Sequence, residues 1–360
     1  MRMGRALRAT CVLVVLALIA GCTSVSAAQP AGTRGKNVCE FLQGSPNSGV
    51  NRAMQAAVAV ARSRLGVTAE VRAGLSPDIS PFMNGHCRLI LGAGYQESAL
   101  IFAMAGRDPR QRFLLADDWF DFSSAPDLTR PNVAVLAFEA DQASFLAGYL
   151  AAAVSPNHVV GAYGSVNVPT VDLALNGFLA GARAWGEDHL ASVRVLGWNG
   201  SGGPFVGNDV DRHTAFSITS RLIRGGAHVI FGAAGRADLG AAAAAARHPS
   251  VYVIGMYTDG YSTSHQYANQ WLTSVVFDMS SPVLSAVRAA GRGGAGGGLY
   301  VGTLANGGVR LAPYHRLAPL VPRAVAAKLP SLRAGLGQGW ITTNPADYVP
   351  REKETGNGNG

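Results

Sequence analysis

The chain has 360 residues, 48% of them hydrophobic and only 14% charged, enough for two ordinary domains with large cores. The formal net charge is +8, carried almost entirely by arginine, since Lys36, Lys328 and Lys353 are the only lysines. The basic residues are dispersed rather than clustered, which argues against a nucleic-acid-binding face.

The N-terminus reads as a targeting segment. Arg2, Arg5 and Arg8 precede an uncharged apolar run, Cys11 to Ala20. That run is well short of the roughly 20 residues of a spanning helix. It ends in Leu18-Ile19-Ala20-Gly21-Cys22, a pattern similar to a bacterial lipobox, in which the Cys22 thiol takes the lipid. Residues 1–21 are then a lipoprotein signal, and the chain is expected on the extracytoplasmic face of the cell membrane. The alternative is an ordinary secretory signal cleaved near Ala27-Ala28. Residues 22–36 are polar and suit a flexible tether. Of four cysteines, Cys39 and Cys87 remain for the folded part. In an exported protein they are a candidate disulfide; the alternative is two separate buried thiols.

Beyond the tether, short apolar runs alternate with Ala-rich stretches. Strands are expected at 37–43, 67–73, 88–94, 112–117 and 132–138. A helix at 47–65, stopped by Gly66, and another over SALIFAMAG (98–106) lie between them. Helices at 141–154, 170–186, 209–224 and 237–247 then alternate with strands at 158–164, 192–198, 227–235 and 251–257. WLTSVVFD (271–278) is followed by a further helix. Residues 291–298 (GRGGAGGG) read as a mobile loop. Strands LYVGTL and GVRLA and a helix after His315 close the pattern, and residues 346–360 read as a disordered tail. This alternation predicts an α/β protein with parallel sheets covered by helices on both faces. Two similar halves account for it best. A closed barrel would need about 250 residues of regular βα repeats.

Ligands of open parallel sheets bind beyond the carboxyl ends of the strands. The residues standing there are Asn47 and Ser48, Tyr95, Asp117, Asp118 and Trp119, Asn199 and Phe205, Gly235 and Arg236, and Asp259 and Tyr261. Aromatic faces with carboxylates and amides suit a flat polar ligand bearing hydroxyls. Each also has a plainer role: Asn47 or Ser48 as a helix cap, Asp117 or Asp118 in a turn, Trp119 and Trp198 in packing. Asp209 and Asp238 read as helix caps. No G-x-S-x-G, H-E-x-x-H or Walker pattern occurs, and no histidines stand at metal-ligand spacing. Neither a cofactor nor a metal is expected. A hydrolase would have to be assembled from Asp117 and Asp118 with His213 or His265.

The stretch Phe138-Glu139-Ala140-Asp141-Gln142-Ala143-Ser144-Phe145-Leu146-Ala147-Gly148-Tyr149-Leu150-Ala151-Ala152 resembles the basic membrane protein family of substrate-binding lipoproteins, which includes purine nucleoside receptors of ABC transporters. GFLAGA (177–182), GAHVIF (226–231), VYVIG (251–255), LTSV (272–275) and GGV (307–309) continue the resemblance in the family's order. It implies a type I periplasmic-binding-protein fold, two Rossmann-like lobes joined by three crossings. Residues 36–140 with 277–298 would form one lobe and 141–276 with 299–345 the other. It also implies a nucleoside-like ligand between the lobes, an ABC permease as partner, and no catalysis. The strand-end reading and the resemblance together give the candidate ligand set Asn47, Asn51, Tyr95, Asp117, Phe205, Tyr257 and Asp259, of which Tyr95 comes from the strand ends alone. Asn47, Val50 and Asn51 stand where the family has Asp, an aromatic and Asn. Tyr257 replaces an Asp, and Phe277 a Lys. Each lost charge removes a hydrogen bond of about 1.5–3 kcal/mol. A divergent sensory or interaction lipoprotein is therefore the second expectation.

Overall fold

The structure is a computed structural model that describes residues 37–74, 80–84, 86–94, 97–116, 130–293 and 297–348. Cys22, Tyr95, Asp117, Asp118, Trp119, the signal and tether, residues 294–296 of the glycine loop and the tail from 349 lie outside the described residues.

The chain begins with β1 (Asn37–Gln43), α1 (Gly49–Leu65), β2 (Thr68–Gly74), β3 (Cys87–Ala93), α2 (Ser98–Arg107), β4 (Phe113–Ala116) and β5 (Val133–Phe138). It continues with α3 (Ala140–Val154), β6 (Val159–Gly164), α4 (Pro169–Asp188), β7 (Arg194–Gly197), α5 (Arg212–Arg224), β8 (Val229–Ala233), α6 (Asp238–Ala245) and β9 (Tyr252–Tyr257). After the short α7 (Gly260–Thr263) come β10 (Trp271–Phe277), α8 (Ser280–Gly291), β11 (Gly298–Gly302), β12 (Val309–Leu311) and α9 (Arg323–Gly337). One six-stranded sheet runs β11-β5-β4-β3-β1-β2 and the other β12-β10-β9-β8-β6-β7. All pairings are parallel except β10 with β12. This is the two-lobed α/β architecture expected from the sequence.

Parallel strands sandwiched by helices are buried on both faces, so they read as continuous apolar runs. The central strands β4, β6, β8 and β10 are buried at every residue. α1 starts where the Ser48 hydroxyl accepts the Asn51 N–H, and it stops at Gly66, whose φ of 62° is the left-handed cap.

The chain passes between the lobes near 138–140, 277–280 and 302–309. The last crossing follows Gly302, not residue 298 as the sequence suggested. The reason is register: Gly298–Gly302 pairs residue for residue with Ala134–Phe138 of the first sheet. Aromatic rings line these crossings. Phe138 and Phe277 stack at 4.8 Å, Tyr257 meets Phe277 edge-on at 5.0 Å, and Tyr300 meets Phe138 at 6.3 Å.

α3 and α4 explain the sequence stretch that carried the resemblance. A Cβ at Gly148 would stand 2.0 Å from the Phe178 carbonyl oxygen, one at Gly177 2.2 Å from that of Asp141, and one at Gly181 1.9 Å from that of Phe145. The two helices therefore touch backbone to backbone, and only glycine allows it. Residues 346–348, expected in a disordered tail, are ordered instead. Asn344 Oδ1 accepts the Ala346 N–H, and the Tyr348 ring packs at 5.8 Å from Phe145.

Cys39 and Cys87 form a disulfide between the neighbouring strands β1 and β3, with sulfurs 2.02 Å apart. One strand of that pair also buries a carboxyl group. Glu40 is 1% exposed, and its Oε1 has no hydrogen-bond partner. Burial pushes its carboxyl up to about 7.

Candidate functional site

A cavity of about 470 Å³ opens between the lobes, where the carboxyl ends of β1, β3, β6 and β9 converge. That size is typical of a small-molecule site. Ser45, Ser48, Val50, Asn51, Gly94 and Glu97 line it from the first lobe. Ser165, Val168, Thr170, Asn208, Asp209 and Tyr257 line it from the second. Its walls mix hydroxyls, amides and valine methyls. The charged side chains among this lining are both carboxylates, Glu97 and Asp209.

The first wall is built by the turn between β1 and α1. Asn51 is 1% exposed, and its Nδ2 donates to the Ser45 carbonyl at 3.0 Å. Its backbone N–H donates to Ser48 Oγ at 3.1 Å. Asn51 thus holds the loop that presents Ser45 and Ser48. The positive end of α1 is left facing the second lobe.

Asp209 meets that end. Its Oδ2 accepts the Gly49 N–H at 3.0 Å, a bond between lobes. Burial raises the Asp209 carboxyl, while hydrogen bonds from Gly49 and Ser48 partly oppose the shift. The lobes touch at this point. A Cβ on Gly49 would stand 2.6 Å from Tyr257 Cδ2 and 2.8 Å from Gly235 Cα, so glycine is required there.

Tyr257 borders the cavity at the end of β9. It is 6% exposed and takes φ = 74°, a left-handed conformation costly for an aromatic residue. Its ring lies between Gly49 and Phe277. Phe277 itself is buried in the aromatic row at the crossings, away from the cavity lining.

Of the residues expected from the sequence, Asn51 and Tyr257 come together here, and three do not. Asn47 is exposed, its N–H donating to Ser45 Oγ at 3.2 Å. Phe205 packs behind the wall. Its ring is edge-on to Trp198 at 6.0 Å and lies so close to Gly164 that a Cβ there would be 2.7 Å from Phe205 Cε1. Asp259 is occupied elsewhere. It caps α7 through the Tyr261 N–H, accepts the Ser262 hydroxyl at 2.6 Å, and bonds His315 Nε2 at 2.8 Å. The Tyr261 ring stacks on His315 at 4.0 Å and completes that cluster.

Two aspartates expected as helix caps have other roles. α5 begins at Arg212 and is capped by Asp211, which frees Asp209 to reach across the cleft. Asp238 is fully buried, and its Oδ1 accepts the Tyr163 hydroxyl at 2.8 Å. Burial holds its carboxyl well above the usual range. Glu97 was not foreseen either. Its position three residues beyond the Gly94 turn was the available signal.

Residues 45–321 match the family described as ABC transporter substrate-binding protein PnrA-like, or Bmp. Basic membrane protein D of Borreliella burgdorferi (strain JD1) is 26% identical over 212 residues, which are 59% of this chain and 57% of that protein. The chain thus spans little more than half the length of such relatives. A solute-binding protein of an ABC transporter system from Aeropyrum pernix K1 superposes with a TM-score of 0.72 at 17% identity, covering 88% of this chain and 94% of that one. Another, from Conexibacter woesei DSM 14684, superposes with a TM-score of 0.67 at 22% identity, covering 85% and 97%. At such identities the likeness shows the fold alone.

Proposed function

The chain belongs to the Bmp family of PnrA-like ABC transporter substrate-binding proteins, and we propose that it binds a nucleoside or a similar flat, hydroxyl-bearing molecule between its lobes and delivers it to an ABC permease. In this reading the protein is lipid-anchored through Cys22 on the extracytoplasmic face of the cell membrane. It releases its ligand unchanged and is not an enzyme.

The observation that carries the reading is the cavity walled by both lobes at their strand ends and spanned by the Gly49–Asp209 bond. A ligand that touches both walls favours the closed arrangement by its differential affinity for it. Ser45, Ser48, Asn51, Glu97, Thr170 and Asp209 supply donors and acceptors for hydroxyls and ring nitrogens. Tyr257 supplies an aromatic surface. Tyr95 and Asp117 are proposed as further contacts from the first lobe.

A second reading rests on Phe277. Its ring is buried against Phe138 and Tyr257 and offers a ligand no hydrogen bond. This favours a divergent sensory or interaction role, in which the cleft answers to a different small molecule.

The test uses the chain from Gly35 onward, unfolded and refolded to strip carried ligand, then titrated with nucleosides, nucleobases and small sugars. Saturable binding of a nucleoside recovered intact supports the receptor. A nucleoside cleaved on incubation refutes the non-enzymatic reading. No response to any nucleoside or nucleobase refutes the nucleoside assignment.

A further inference from the structure

A second cavity, of about 370 Å³, lies on the second lobe among α3, β12 and α9, away from the interlobe cleft. Its floor is apolar, made of Leu146, Leu304, Leu311 and Leu329. Three of these belong to the core and are nearly inaccessible, so the depression ends on core side chains. Arg310 and Arg333 stand in its lining. Among the described residues neither has a carboxylate partner. Arg333 donates through Nε and Nη2 to the Leu304 carbonyl at 3.3 and 2.9 Å, which places its guanidinium over that edge. On the α9 wall, Pro330 withholds from the Ala326 carbonyl the N–H that would close the helical ladder, and both residues border the cavity.

We propose that this cavity is a second ligand site, for a small amphipathic anion: a single acyl or aryl chain ending in a carboxylate. The volume falls in the range of small-molecule sites. The apolar floor takes the chain. The planar guanidinium groups take the carboxylate, for which their fork of donors is the matching shape. A wholly apolar occupant would leave two cations without an anion at the rim. A polar anion such as phosphate would leave the leucine floor uncovered. Leu304 belongs to the third crossing between lobes, and its N–H is held by Gln142 Oε1 at 2.9 Å. An occupant would therefore rest directly on the hinge.

Sodium octanoate and sodium decanoate, with 1-decanol as the uncharged probe, test this by calorimetric titration of the chain from Gly35. Decanoate is expected to bind more tightly than octanoate, since each buried methylene adds up to about fourfold. Decanol is expected to bind more weakly than decanoate. Arg310→Ala, an exposed change, is expected to weaken decanoate about fivefold, a discounted value for a solvent-facing charge. Ala326→Phe, also at an exposed helix position, should fill the cavity and abolish binding. The melting temperature of each free variant should stay close to that of the parent. No binding of decanoate overturns the proposal. Equal binding of decanol, or binding indifferent to both substitutions, overturns it as well.

Discussion

Replacing Glu40 by Gln should change the pH dependence of stability more than any surface substitution. Glu40 sits in the middle of β1 with its carboxyl pushed up to about 7 by burial, against an ordinary value of 4.5. An acid whose folded-state pKa is raised holds its proton more tightly when folded. Its contribution is therefore complete below about 4.5 and is lost as the pH rises through about 7. A rise from 4.5 to about 7 corresponds to about 3 kcal/mol. Urea unfolding of parent and Glu40→Gln proteins between pH 5 and pH 8 measures it. The parent should lose stability over that interval, and the variant should lose about 2–3 kcal/mol less. Asp209 and Asp238 are also raised and tilt both proteins in the same direction, so the difference between the two curves is the relevant quantity. Parallel curves would refute a buried, unpaired Glu40.

Gly181→Ala should force α3 and α4 apart and cost about 2–4 kcal/mol, because its Cβ would stand 1.9 Å from the Phe145 carbonyl oxygen. A melting curve unchanged from the parent would contradict that packing. Replacing Cys39 and Cys87 by Ser opens a loop of 48 residues and should cost about 4 kcal/mol by chain entropy, read from urea midpoints without reductant. Asp209→Ala should remove the acceptor for Gly49 and weaken cleft binding about tenfold, while Asp209→Asn, which keeps an oxygen there, should recover most of it. Equal affinities for the two variants would show that the interlobe bond contributes nothing.

The fold was legible because burial on both faces makes parallel strands continuous apolar runs, which strands such as VVGAYG and VIFGA display. The glycines of SFLAGYLAA and GFLAGA carried a packing requirement as well as a resemblance. Element ends were less legible. LYVGTL reads as one strand to Leu304, yet its ladder stops at Gly302, where the chain crosses. The site was half legible. Strand-end position identified Ser48 and the resemblance identified Asn51 and Tyr257, but neither says which way a side chain is engaged. Asp259 follows β9 as expected and is then taken up by its own cap and by His315, which arrives from a segment more than fifty residues away. Asp209 lies before α5 like a cap, and only the approach of α1 from the other lobe gives it another partner. Such pairings depend on how the lobes meet, which no local pattern encodes.

The central claim is a ligand held by both lobes at once, and amide hydrogen exchange with and without a bound nucleoside tests it most directly. The account predicts slowed exchange in residues 45–51 of the first lobe together with residues 165–171 and 207–210 of the second. Protection confined to one lobe, or absent at a saturating concentration of a ligand that binds, would contradict it.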